Sequence, residues 1–514
     1  MTGGLLVGVD LGTTGAKAVV VDPGDGKTVS RGYRAYPSDT THADRHEQDP
    51  ADWWSASAGA LRDALAEVPS GAVRGVGLSG HTHAVALFDA ADRPVRPAMT
   101  WADRRAAAEV ARLRQHGDLF RERCGNPVVE AFTAPKLAWL AAHEPDALRR
   151  AARLVQPKDA VRHHLTGEWH TDVSDAAATL LFDVRRNGWD PELWALCAAD
   201  TRLAPPVVSG TTVVGEVRAE AARLTGLPAG TPVVAGGCDV ACAALGGGAV
   251  APGRVYVNAG TAAQVLTPLP DLRAGDYFVF ARAGEPGFLA MVSVYAAGLA
   301  IGWCEEHLLG GAAGEPPGRA DRLAAGTEPG ARGLTFVPHL VGTSTPTHDP
   351  RVRAALLGAA PMHGTGDVAR AALEGVAYAC AAAVDHLARA AGGDVTEVRV
   401  GGGVARSPIW RESLAAVLDA PVRRLSQDAT PRAAVALAGA GTGVWPDVAA
   451  ASAALDDTEP VTVPDGHLAA YREAAERYTV AADAMLALAR SGAGGRWSER
   501  SDAAGERGEP GVAP

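Results

Sequence analysis

The pattern Val9-Asp10-Leu11-Gly12-Thr13-Thr14 returns, imperfectly, as Val257-Asn258-Ala259-Gly260-Thr261-Ala262, and each copy stands between two apolar runs. A glycine-containing turn flanked in this way predicts a β-hairpin. A repeat spaced by about half of the 514 residues fits duplicated domains and speaks against a short-period solenoid. A chain this long also exceeds what one hydrophobic core sustains, so two large domains are expected. The first would cover 1–249, ending in Gly246-Gly247-Gly248, and the second 250–490. Residues 491–514 are rich in Gly, Glu, Arg and Ser without apolar periodicity, and are expected to form a disordered tail.

Strand and helix patterns alternate between the two copies. Asp49 as N-cap, Pro50 at the first helical position and an apolar face of Trp53, Leu61 and Leu65 predict a helix. Val73 to Leu78 reads as the next strand, ending at Ser79-Gly80, and helical patterns follow around 106–114 and 135–143. Such alternation argues for an α/β architecture. The net charge of −11 argues against nucleic acid or an anionic membrane as a main partner. Six scattered cysteines without a CxxC pair read as buried thiols in a reducing compartment. No apolar run is long enough to span a bilayer and no leader pattern opens the chain, so a cytoplasmic location is expected.

Three places carry chemistry. At the first turn, Gly12 and Gly15 let backbone approach a ligand closely, and the Thr13 and Thr14 hydroxyls can donate to phosphate oxygens. Asp10, at the end of the preceding strand, can hold Mg²⁺ directly or through water, and Lys17 adds a cation within reach of a phosphate. The second copy, Gly260-Thr261, would hold the same polyphosphate from the other domain; an ordinary tight hairpin is the competing reading. Next, Asp239 follows an apolar run and the pair Gly236-Gly237, which suits a general base for phosphoryl transfer to a hydroxyl and equally a helix N-cap. Finally, Gly401-Gly402-Gly403 stands between a strand-like run and a helix expected from Pro408. Bare backbone there can receive a nucleobase or phosphate, although neither a Walker loop nor a dinucleotide fingerprint is present.

Taken together these residues resemble the FGGY carbohydrate kinase family of the actin/Hsp70-like superfamily, its xylulokinase branch most. The resemblance runs from Leu6 to about Leu488. Besides the 9–17 and 401–407 stretches it rests on Trp101-Ala102-Asp103-Arg104-Arg105, Phe132-Thr133-Ala134-Pro135-Lys136-Leu137, Pro157-Lys158-Asp159, Thr166-Gly167-Glu168 and Ser174-Asp175-Ala176-Ala177. It implies an α/β fold of two actin-like (ribonuclease H-like) domains with a central cleft, the sugar mostly on the first and ATP mostly on the second. Asp239 matches the family's catalytic aspartate, Asp10 its Mg²⁺ and phosphate aspartate, and Gly260-Thr261 its γ-phosphate contact. Asp10 and Asp239 are thus the expected metal-facing carboxylates. Gly12, Thr13, Thr14, Lys17, Gly401, Gly402, Gly403 and Ser407 are the expected nucleotide contacts.

The departures fall where the sugar should bind. Xylulokinases usually carry Gln-Met-His-Gly where this chain has His81-Thr82-His83-Ala84; His83 matches the sugar-contacting histidine and His81 replaces the glutamine. A family Asp-Asn pair becomes Asp239-Val240, and a Gly-Glu-Arg-Thr-Pro becomes Gly342-Thr343-Ser344-Thr345-Pro346. Losing a side-chain amide's hydrogen bond to a sugar hydroxyl that stays buried and unpaired costs about 1–3 kcal/mol. His81 and His83 read as sugar contacts or cleft lining, with a metal pair as the alternative. Trp101 and Asp103 read as an aromatic wall beside a hydroxyl-binding carboxylate, with a core Trp and a capping Asp as the alternative.

The expected reaction is transfer of the ATP γ-phosphate to a ketose, D-xylulose giving D-xylulose 5-phosphate. Another ketose or polyol, and a non-kinase actin-like ATPase, are the competing readings. The expected partners are a sugar or polyol, ATP and Mg²⁺, without nucleic acid or membrane, and with homodimerisation left open.

Overall fold

The computed structural model describes residues 4–69, 71–273, 275–312, 315–344 and 347–491. Residues 492–514 of the expected tail, and Thr345 and Pro346 of the 342–346 stretch, lie outside them. The chain forms two compact units that interleave in sequence. One comprises the chain up to Pro252 with Thr267–Ala290 and Gln427–Asp457; the other comprises Gly253–Leu266, Met291–Ser426 and the chain from Thr458.

The first unit is built on a seven-stranded sheet in the order Val213–Glu216, Pro232–Val234, Val73–Gly80, Leu5–Gly12, Gly15–Val21, Thr28–Ala35, with Gly237–Cys238 also paired to Val73–Gly80. Leu5–Gly12 runs antiparallel to Gly15–Val21, as the turn predicts, and parallel to Val73–Gly80. Alternation along the strands divides the two faces. Val7 and Val9, with Val76 and Leu78, enter a core with Trp53, Leu61 and Leu65 of the helix Pro50–Leu65. That helix starts as its sequence predicts: the Asp49 side chain accepts from the Ala51 amide at 2.9 Å.

The opposite face explains why the units depart from a single cut near 250. A Cβ at Gly8 would stand 2.2 Å from the Pro431 carbonyl oxygen, and one at Gly77 2.0 Å from that of Ala434. These bare positions let the helix Ala429–Gly441 lie backbone-close on the central strands. A helix late in the sequence therefore completes the first unit.

In the second unit, Arg254–Ala259 pairs antiparallel with Ala263–Leu269 and parallel with Glu397–Gly401, which is parallel to Val422–Leu425; Thr458–Pro460 closes the row antiparallel. Hairpin plus parallel neighbour is the arrangement of the first unit, so the internal repeat is structural. The long helix Thr365–Ala391 buries Tyr378 and Cys380, and all six cysteines are buried and free. Among the described residues no helix is long and apolar enough to cross a membrane.

Candidate active site

Four strand ends of the first unit gather the carboxylates. Asp10 stands opposite Lys17 on one side and beside Ser79 on the other, and Ser79 in turn pairs with Gly237. Two residues after Gly237, Asp239 opens the helix Asp239–Gly246. The N-cap position is taken by Cys238, which leaves the Asp239 carboxylate outside the capping role. Its Oδ1 accepts from the Val240 amide at 2.8 Å.

Electrostatics mark both acids. Burial pushes the Asp10 carboxyl up to about 6, against the pull of Lys17, and its Oδ1 is buried with no hydrogen-bond partner. Burial and then the charge of Asp10 push Asp239 up to about 8. Two carboxylates disfavoured as anions, one with an orphaned oxygen, form a place a divalent cation would relieve. Among the described residues no group of three or more His, Cys, Asp or Glu could hold a metal. The donor set thus fits a cation that keeps much of its water and takes its other ligands from substrate.

The turn between the first two strands is held from beneath. The Tyr36 hydroxyl donates to the Gly12 carbonyl, and Gln48 Nε2 donates to that of Thr13 at 2.7 Å. With their carbonyls tied back, Thr13 and Thr14 keep the outer side of the turn, where Thr14 is exposed. Trp101, 45% exposed, donates from Nε1 to Thr13 Oγ1 at 3.1 Å, so its indole stands against this turn. Lys17 is engaged by Asp428 Oδ2 at 2.8 Å. Asp103 is fully buried and accepts from the His46 amide and from Arg105, which also pairs with Glu47. Both its oxygens are committed, and it acts here as a brace for the segment carrying Trp101.

His81 and His83 differ sharply. His81 is 1% exposed, meets the ring of Trp53 edge-on at 5.7 Å, and has no partner on either ring nitrogen. Burial lowers its pKa to about 3. His83 takes a positive φ of 67° and donates from Nδ1 to the Ala178 carbonyl at 2.6 Å, which leaves Nε2 as an acceptor. Its ring packs edge-on against Phe132 at 4.5 Å, and the loop bearing Phe132 is tied by the buried Lys136, which donates to the Ala131 and Phe132 carbonyls at 2.5 and 2.7 Å. Val240 is buried.

The second unit holds a cavity of about 1020 Å³, lined among others by Thr261, Leu299, Trp303, Gly403, Val404 and Ser407. Its floor is the 260–261 hairpin tip: the Gly298 amide donates to the Gly260 carbonyl and the Leu299 amide to that of Thr261, at the start of the helix Gly298–His307. Gly403 opens on this space, with room for an added Cβ, whereas a Cβ on Gly402 (φ 88°) would stand 2.5 Å from the Ala259 carbonyl oxygen. Gly401 lies against the Tyr256 hydroxyl. Ser407 caps the helix Pro408–Val417, accepting from the Trp410 amide at 3.1 Å and donating to Asp321 Oδ1 at 2.6 Å. The sequence reading missed Tyr36, Gln48, Asp428, Trp303 and Asp321. No local motif announces them, because each reaches its site from a remote part of the chain.

Residues 5–246 match the model of the N-terminal domain of the FGGY family of carbohydrate kinases, and residues 255–441 match that of its C-terminal domain. The chain is 31% identical over 450 residues to the xylulose kinase of Bacillus subtilis (strain 168), covering 86% of this chain and 88% of that one. It is 32% identical over 414 residues to the xylulose kinase of Escherichia coli (strain K12), covering 80% and 84%. Among solved structures, the xylulose kinase of Rhodospirillum rubrum superposes with a TM-score of 0.83 at 27% identity, over 95% of this chain and all of that one. The two-unit α/β fold is thus that of the sugar kinases.

Proposed function

Because the chain belongs to the FGGY family of carbohydrate kinases, it is a sugar phosphotransferase, and we propose that it moves the γ-phosphate of ATP to a hydroxyl of D-xylulose. The observation that carries this is the pairing of Asp239 with Asp10 in the first unit. Asp239 stands at the start of its helix with its carboxylate outside the capping role, and it would take the proton of the sugar hydroxyl once a bound cation offsets the burial and the Asp10 charge that favour its protonated form. General-base assistance of this kind contributes ~10²–10⁴-fold.

The acceptor would lie in the first unit, against Asp239, the Nε2 acceptor of His83 and the unpartnered nitrogens of His81. Thr13 and Thr14, with their carbonyls tied back by Gln48 and their neighbours, would offer hydroxyls and amides to phosphate oxygens. The adenosine would enter the cavity of the second unit beside Trp303 and Gly403, with Gly260 and Thr261 at the phosphate end. Asp10, through its orphaned Oδ1, and Asp239 would hold Mg²⁺, which neutralises phosphate charge when bound.

The test is an ADP-release assay over pentuloses, other ketoses and polyols, with Asp239→Ala as control. D-Xylulose giving the highest kcat/KM, and loss of sugar-dependent turnover in the control, is the expected result. A different preferred acceptor would displace xylulose, and undiminished turnover in the control would remove Asp239 as base.

A further inference from the structure

Beneath Asp239 lies a buried ionic cluster that the reaction described above does not use. Lys158, wholly buried, places Nζ 2.6 Å from Asp159 Oδ1, 2.9 Å from Asp172 Oδ1 and 2.9 Å from Asp175 Oδ2. Arg162, equally buried, joins at Asp159 with 2.8 Å. Removing five charges from water is costly, and apolar side chains of the same volume often serve stability as well or better. The position of this cluster gives it another use.

One member reaches the backbone that ends in Asp239 directly, and another reaches it through Ser174. Arg162 Nη1 donates to the Ala235 carbonyl at 2.8 Å. Ser174 Oγ donates to Asp172 Oδ2 at 2.5 Å and therefore offers its lone pair to the Cys238 amide, which donates to it at 2.9 Å. The result is a polarised chain from the Lys158 ammonium through Asp172 and the Ser174 hydroxyl to the N–H one residue before the base. The intervening Gly236 and Gly237 bring no side chain to fix the segment. Gly236 (φ 85°) must stay bare, since a Cβ would stand 2.1 Å from the Leu78 carbonyl oxygen. Register there rests on backbone bonds, and Ser174 supplies the one at the turn into the catalytic helix.

We propose that Ser174, held by Asp172 and Lys158, is a positioning residue for Asp239, fixing the Cys238 amide so that the carboxylate meets the sugar hydroxyl in line with the phosphate. This rests on Asp239 being the base. A misplacement of about 1 Å can cost ~10²-fold in rate, so the effect belongs in kcat.

The experiment is a double-mutant cycle on the full chain, measuring kcat and KM for both substrates with melting temperature as a folding control. Ser174→Ala is expected to lower kcat by about 10- to 100-fold with both KM values within about threefold. In the Asp239→Asn background the same change is expected to alter the residual rate by less than about twofold, because a positioning residue has nothing left to position. Ser174→Thr and Ser174→Val, of equal shape, separate hydroxyl from volume: Thr should retain most of the kcat and Val should match Ala. Equal losses in both backgrounds, equal losses for Thr and Val, or an unchanged kcat in Ser174→Ala would overturn the proposal. An Asp239→Asn enzyme as fast as the parent would instead remove the base assignment, and the positioning role with it.

Discussion

Asp10 faces Lys17 directly across the first hairpin, yet the lysine ammonium is bound 2.8 Å away by Asp428, 411 residues later in the sequence. The cation next to the phosphate turn is therefore already neutralised, and Asp10 keeps an oxygen without a partner. Both ends of the Lys17–Asp428 pair are about half exposed. Asp428→Asn is accordingly expected to change stability by less than about 1 kcal/mol. It should lower the KM for ATP by freeing Lys17 for phosphate; a KM unchanged or raised would show that Lys17 serves only the ion pair.

Asp239→Asn should separate function from stability. Sugar phosphorylation is expected to fall ~10²–10⁴-fold. The folded-state pKa of Asp239 is raised from 3.8 to about 8, so the folded protein binds the extra proton and loses stability as pH rises through that window. An asparagine carries no such penalty. The melting temperature at pH 8 should rise relative to the parent, and a drop of several degrees would contradict this account.

His81 works with the opposite sign. Its folded-state pKa is lowered from 6.5 to about 3, so the unfolded chain binds more protons between those values and stability falls as the pH is lowered across them. His81→Gln removes that proton-linked loss. Acid unfolding followed by tryptophan fluorescence should move its midpoint to lower pH, with Trp53 at 5.7 Å from the ring as a nearby reporter. An unmoved midpoint would mean that other groups dominate acid unfolding.

Gly298→Ala tests the nucleotide cavity. The new Cβ would stand 2.7 Å from the Gly260 carbonyl oxygen, which is backbone and must shift. The KM for ATP is expected to rise about tenfold while the KM for the sugar stays within about twofold, since the change lies wholly in the second unit. Equal effects on both substrates would count against adenosine binding at this cavity.

What could be read along the chain was local. The hairpin at Gly12–Gly15, the helix opening at Asp49-Pro50, the helix from Pro408 and the half-chain repeat all rest on turn chemistry, helix-start signals and periodicity acting over a few residues. The same short-range logic set Asp10 and Asp239 at strand ends beside glycines. Tertiary structure decided the rest. It gave Lys17 to Asp428, committed Asp103 to Arg105 and His46, and laid the helix Ala429–Gly441 on Gly8 and Gly77. It also buried Lys158 among three aspartates beneath the base. The buried charges among them meet because burial forces charges to pair, and bare glycines admit backbone whatever the separation in sequence. Spacing along the chain carries no trace of the long-range encounters, of Lys17 with Asp428 or of Gly8 with Pro431, and only the packed structure brings these together.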